Sequence, residues 1–170
     1  MRTRSYLVGS VLLGLVLAGC GGGDSGAVST PGSITSSTDA AFLTCDTEMR
    51  AMPYLAGMHV ASAAGTFEVK LIESVPGPPV KGNNSWTIEI DDSASGAPLD
   101  LLAVSVTPWM PDHGHGTQPV IVAPTGAAGQ YGLMPVYLYM SGFWQVQIGI
   151  KSTAGAAATQ DQAILPICIP

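Results

Sequence analysis

Two histidines stand one residue apart in the stretch PWMPDHGHGTQP, residues 108–119, of a chain that has only three histidines. In extended backbone, His113 and His115 point to the same side, and the glycines that follow each of them allow the chain to curve around an ion. Met110 adds a thioether, and Asp112 is placed to accept a hydrogen bond from an imidazole. Imidazole and thioether are ligands that suit copper, so the stretch predicts a site for copper or a related transition metal.

The third histidine lies in a second methionine-rich segment, MRAMPYLAGMH. If the two segments meet at one end of the fold, Met58 or His59 completes the copper site, and Met134 and Met140 are further candidate donors. A reading without metal stays open, because a His-Gly-His turn is also typical of a tight polar loop and methionine commonly fills cores. In that case the same rim of loops docks a protein partner of the cell envelope.

The histidine stretch does not favour catalysis. Asp112 and His113 are adjacent, so their side chains point apart in an extended loop, and no serine or cysteine has the setting of a nucleophile. A zinc hydrolase normally requires a third histidine or a carboxylate at a recognisable spacing, which the sequence does not provide. We therefore expect a non-catalytic binding or accessory module.

The first residues predict export. Two arginines precede an apolar run at residues 6–17, which is too short for an ordinary membrane-spanning helix. The run leads into LAGC, which resembles the lipobox of bacterial lipoproteins and implies lipidation of Cys20. We expect a lipoprotein signal peptide at 1–19 and a lipid-anchored flexible linker at 20–43, rich in Gly, Ser, Thr and Ala. An ordinary secretory peptide with a chance cysteine is the alternative.

Beyond the leader the chain is acidic. Without Arg2 and Arg4, four of the six basic residues remain against twelve acidic ones, so nucleic acid is not an expected partner. The expected partner surface is a membrane, reached through the N-terminal lipid. Gly21 does not provide the aspartate that resembles an inner-membrane retention signal, which favours the periplasmic face of the outer membrane or the cell surface.

Two cysteines remain after Cys20. Cys45 opens the globular region and Cys168 lies near the end of the chain, so an oxidising compartment favours a disulfide between them. Paired cysteines are not available as metal ligands. A free pair that serves as ligands or as a redox couple is the alternative, although no C-x-x-C spacing is present.

Residues 44–170 have the length of one domain, and apolar and polar residues alternate along several short runs of that region. Glycine, proline and asparagine separate the runs, and no convincing helical periodicity is present. The predicted strands lie at about 66–71, 86–90, 102–107, 120–122, 131–140, 143–150 and 162–169. About seven short strands without helices predict an all-β, immunoglobulin-like β-sandwich, with the histidine stretch as a loop between strands.

The stretch WMPDHGHG, followed by GQY and then by MSGFW, resembles the YtkA-like domain of bacterial exported and membrane-anchored proteins. The resemblance covers about 86–151. It implies a small β-sandwich of the copper-resistance and oxidase-assembly type, and it implies a fold more directly than an activity. The matching residues are Trp109, Met110 and Pro111, then Gly114 and His115, then Gly129 and Tyr131, and finally Met140, Gly142 and Trp144. The cysteine pair and the long N-terminal extension depart from the simplest members.

Overall fold

The computed structural model describes residues 45–152 and 159–170. A short 3-10 turn, Cys45–Thr47, precedes nine strands. They are β1 (Met58–Ala61), β2 (Phe67–Val75), β3 (Gly82–Asp92), β4 (Leu102–Met110), β5 (His115–Gly116), β6 (Ile121–Pro124), β7 (Gln130–Leu138), β8 (Gly142–Ser152) and β9 (Gln160–Ile169). Within these residues no helix has the length and hydropathy needed to cross a bilayer. The predicted signal peptide, the linker and Cys20 lie outside the described residues.

The strands form two antiparallel sheets, in the orders β1-β2-β3-β7-β6 and β5-β4-β8-β9. If β2 to β9 are taken in sequence as strands A, B, C, C′, D, E, F and G, the sheets are A-B-E-D and C′-C-F-G. This is the strand order of an immunoglobulin-like sandwich, with β1 added at the edge beside A. The predicted fold class is therefore confirmed.

Alternation along the strands produces the core. On β8, Trp144, Val146, Ile148 and Ile150 are all fully buried, as the sequence predicts, and the residues between them point outward. On the facing sheet the alternate residues of β3 are buried in the same way. Each fully buried large side chain of this kind stabilises the fold by about 1.5 to 3 kcal/mol relative to exposure. The two sheets therefore hold together through their inward-facing rows.

Two of the nine strands were not among the predicted ones. β1 has four residues and β5 has two, and each pairs with a neighbour on one side only. Strands of this length carry too few alternating positions to stand out in a sequence. β5 is important for the candidate site, because it includes His115. The sequence predicts this part of the chain as a loop, but in the structure it is a strand paired with β4.

A disulfide joins Cys45 to Cys168, the pairing that the sequence favours. Phe143 pairs with Cys168, and Trp109 pairs with Gln145, so the ends of β4 and β9 and the start of β8 lie at one end of the sandwich. The backbone amide of Met52 donates to Pro166 O at 2.9 Å. The segment before β1 is thus attached at the end where β4 runs into the histidine stretch.

Candidate metal centre at the histidine loop

The stretch from Met110 to Gly116, here called the histidine loop, folds back on itself. The amides of His113 and Gly114 both donate to Met110 O, at 3.2 and 2.9 Å. Gly114 has a φ of 66°, in the left-handed region that glycine adopts without strain. The return strand then pairs His115 with Met110 and Gly116 with Trp109. This turn brings the two histidines together.

The imidazole rings of His113 and His115 have centroids 5.5 Å apart and an interplanar angle of 36°. Two imidazoles that each donate a nitrogen to one ion at about 2 Å have ring centres about 5 to 6 Å apart. His113 is exposed and His115 is half-buried. The spacing of the pair therefore fits a shared metal ion at the surface.

Tyr139 fixes the orientation of His115. Its ring stacks on the imidazole with centroids 5.5 Å apart, and its hydroxyl oxygen lies 2.7 Å from Nδ1 and 3.3 Å from Nε2. Tyr139 itself packs edge-on against Trp144, whose indole N–H donates to Met140 O at 2.9 Å. A hydrogen bond on one ring nitrogen is the usual support of a metal-binding histidine. The hydroxyl is nearer to Nδ1, and a neutral imidazole that carries its proton on Nδ1 presents the lone pair of Nε2 to an ion.

Sequence reasoning did not single out Tyr139. It lies just after β7, and the burial phase of that strand changes between Leu133 and Val136, on either side of Pro135. The register between β3 and β7 shifts at the same place. The direction of Tyr139 therefore depends on an irregularity that alternation alone does not predict.

Met110 lies where a third donor is needed, but it is a core side chain. It faces His115 across the β4–β5 pair and is 1% exposed. Its methyl carbon packs so closely on Gly142 that a Cβ there would lie 3.2 Å away. The thioether is therefore beneath the histidine loop rather than on its surface.

Met58 and His59 do not join this group, so the prediction that one of them completes the site is wrong. β5 and β9 are the opposite edges of one sheet, and β1 lies next to β9. Met58 is buried in the core, while His59 is exposed with Nε2 3.3 Å from Glu68 Oε1. Pairing of β1 with β2 places both residues at the far side of the sandwich from the histidine loop.

The two further candidate methionines, Met134 and Met140, lie in the middle of β7 and just after it. Met134 is 62% exposed on the outer side of β7, away from the loop. Met140 is half-buried and follows Tyr139, at the end of the sandwich where the histidine loop lies. No group of three or more His, Cys, Asp or Glu side chains that could hold a metal occurs within residues 45–152 and 159–170. Any ion at this end must therefore use the histidine pair with a thioether or an outside donor.

Asp112 binds an arginine instead of a histidine. Its two carboxylate oxygens accept hydrogen bonds from Arg50 Nη1 and Nη2 at 2.7 and 2.6 Å. Arg50 also donates from Nε to Glu48 at 2.8 Å, and its guanidinium lies 4.3 Å from the centre of the Phe143 ring. These hydrogen bonds from Arg50 lower the pKa of both Asp112 and Glu48. The predicted role of Asp112 as the acceptor for an imidazole is therefore not what the structure shows.

Comparison with known proteins gave one match, to a family model. Neither the curated proteins nor the solved structures that were compared gave a match. The model of the YtkA-like family matches residues 61–149, which include β2 to β7 and most of β8 but neither Cys45 nor Cys168. Since this match covers more than half of the chain, the protein belongs to the YtkA-like family.

Proposed function

We propose that this protein is a non-catalytic accessory module of the cell envelope, anchored through lipid on Cys20, that binds a copper ion between His113 and His115. The observation that carries the proposal is the 5.5 Å separation of the two imidazole centroids. The contact of Tyr139 with His115, which is shorter to Nδ1 than to Nε2, supports it, because a hydrogen bond at Nδ1 orients the ring for binding through Nε2. Met110 is paired with His115 but is 1% exposed, so its thioether would have to move out of the core to serve as a third donor.

A non-catalytic role is supported by the partners of the one carboxylate beside the histidines. Asp112 is held by both terminal nitrogens of Arg50, and this contact lowers its pKa. A general base must reach a substrate proton with a pKa near the working pH. Asp112 is committed to a cation instead, so it orders the loop rather than moving protons.

The copper proposal is tested by titrating Cu(I), Cu(II) and Zn(II) into the purified full chain and following the melting temperature. A metal that binds only the folded state adds about 2.7 kcal/mol at a hundred times its dissociation constant. The double variant His113→Ala/His115→Ala is expected to lose the copper-induced shift. His59→Ala is the matched control, because that histidine is exposed on the far side of the sandwich, and it should keep the shift. A melting temperature that no copper ion raises, or an undiminished shift in the double variant, would contradict the proposal.

A protein-interaction function is the second candidate, and a different surface favours it. Ile121 on the edge strand β6 pairs with Met134 on β7, and the two side chains are 70% and 62% exposed. Adjacent exposed apolar side chains on an edge strand are typical of a contact surface. This candidate predicts that no metal changes the melting temperature and that Ile121→Ser abolishes a crosslink to an envelope protein formed in intact cells. An unchanged crosslinking pattern in that variant would exclude it.

A further inference from the structure

The outer face of the sheet β4-β8-β9 carries almost no charge. Its rows, read from the strand register, are Trp109, Gln145 and Pro166, then Thr107, Gln147 and Ile164, then Ser105, Gly149 and Gln162, and finally Ala103, Lys151 and Gln160. Among these outward-facing residues only Lys151 is ionised and none is a carboxylate. On the other sheet, by contrast, Lys70 binds Glu89 at 3.2 Å and also binds Asp91. The charged side chains of this acidic protein are thus kept off one face, here called the amide face.

The polar groups of the amide face are not used by the protein. Among the described residues, no hydrogen bond is made by the side-chain amides of the glutamines, by the hydroxyls of Ser105 and Thr107, or by the indole N–H of Trp109. On the other sheet, by contrast, the side-chain amide nitrogen of Gln130 donates a hydrogen bond to Glu89 Oε2 at 3.1 Å. The hydrogen-bonding capacity of the amide face is therefore available to an outside molecule.

The shape of the face matches an elongated ligand. Its centre is an open depression lined by Ser105, Thr107, Gln147, Gly149, Gln160 and Gln162, and by the buried Asp161. The Asp161 carboxylate already accepts hydrogen bonds from the backbone amides of Ala64, Thr66 and Gln162. Gly149 keeps the floor low, since a Cβ there would lie 2.6 Å from Ser105 Oγ. Along β4, the outward-facing residues from Trp109 to Ser105 span about 14 Å. Trp109 lies at one end of this line of residues, and its indole ring is half-buried. The ring lies against Gly116, which has no side chain to cover it.

We infer that the amide face binds a neutral, β-linked polysaccharide chain. A sugar ring presents hydroxyl groups at its edge and C–H groups on its faces. Glutamine amides both donate to and accept from hydroxyls, and an indole ring packs against the C–H groups. The glutamine amides, the hydroxyls and the indole are uncharged, so their contacts with a sugar desolvate no ion. The inference is independent of copper, since none of the residues that line the depression belongs to the histidine loop.

The test titrates cellohexaose and chitohexaose, two uncharged β-1,4-linked oligosaccharides, into the purified full chain by calorimetry. At least one is expected to bind, with backbone amide shifts in β4, β8 and β9 mapped by NMR. Trp109→Ala should weaken binding about tenfold, and Gln147→Ala about threefold to tenfold. The matched control is Gln118→Ala, an exposed glutamine outside the face, which should bind as the wild type does.

Gln147→Ala keeps the test valid if Trp109→Ala does not fold, because Gln147 points outward from the core. Three results would overturn the inference. They are the failure of both oligosaccharides to bind, wild-type affinity in Gln147→Ala, and amide shifts that map to the other sheet.

Discussion

Arg50 holds Asp112 through two parallel hydrogen bonds, of 2.7 and 2.6 Å, although the two residues are 62 positions apart in the sequence. Arginine and carboxylate in this two-point geometry form one of the more directional contacts in proteins. The pair connects the segment next to Cys45 with the turn that contains His113. The conformation of the histidine loop therefore depends on Arg50, which lies outside the residues matched by the YtkA-like family model.

Arg50→Ala is expected to loosen the histidine loop, and it should also lower stability because it leaves the buried carboxylate of Glu48 without its cation. Both side chains of the Arg50–Asp112 pair are 44% exposed, so that pair itself adds little to global stability. Amide exchange at His113 and Gly114, whose N–H groups bond to Met110 O, should become faster, and copper affinity should fall about tenfold. Lys81→Ala is a suitable control. Unchanged exchange at both amides would show that Arg50 does not order the loop.

Tyr139→Phe removes only the hydroxyl that contacts His115 and keeps the stacked ring. Because loss of a hydrogen bond behind a metal ligand costs about ten- to a hundredfold in affinity, copper binding should weaken by that factor. The measurement is competition with a chelator of known affinity. Tyr137→Phe is the matched control, since Tyr137 contacts Tyr139 but not His115. Equal affinities in the two variants would remove Tyr139 from the site.

Asp161 predicts an acid dependence of stability. Ser62 above all, with the backbone amides of Ala64, Thr66 and Gln162, lowers the pKa of Asp161 from 3.8 to about 2. Because the folded-state pKa lies below the unfolded value, the stabilisation is complete above about pH 4 and is lost as the pH falls towards 2.

Asp161→Asn should therefore lower the melting temperature at pH 7 and flatten its dependence on pH between about 4 and 2. The measurement is thermal unfolding across that range. Asp46→Asn, at an exposed position, is expected to keep the wild-type profile. If Asp161→Asn keeps the wild-type slope, the loop around Asp161 is not the source of the dependence.

The double variant Cys45→Ser/Cys168→Ser should be less stable by about 2 to 5 kcal/mol, because it removes a crosslink between residues 123 positions apart. Urea unfolding with and without reductant measures the difference. The variant should also release Glu48 and Arg50, and so resemble Arg50→Ala in the exchange of the histidine loop. A variant as stable as the wild type in both conditions would show that the remaining core fixes this end alone.

Much of the fold was predictable, because it depends on local alternation. The inward residues of β3 and β8 follow from a period of two, and the order of turns and strands then favours a sandwich. The short edges β1 and β5 were not predictable, because their pairing depends on residues far away in sequence. For the same reason His59 was assigned to the wrong side, and the contact between Asp112 and Arg50 was missed.

The candidate site was predictable only in its local part. The one-residue spacing of His113 and His115 and the flexibility of Gly114 are properties of the sequence itself. The burial of Met110 and the contact with Tyr139 depend on the register of β4 with β5 and on the irregularity of β7. The kind of ligand could be predicted from the residue types, but the residues that surround the histidine pair could be identified only from the assembled sheets.

The carbonyl oxygen of Pro170 accepts a hydrogen bond from Ser141 Oγ at 2.9 Å, and Ser141 is two residues after Tyr139 in the β7–β8 connection. A polyhistidine tag fused after Pro170 would therefore place additional imidazoles close to His113 and His115, the pair whose metal affinity is to be measured. Such a fusion protein would capture copper whether or not the native loop does. A purification handle that lacks metal-binding groups avoids this artefact.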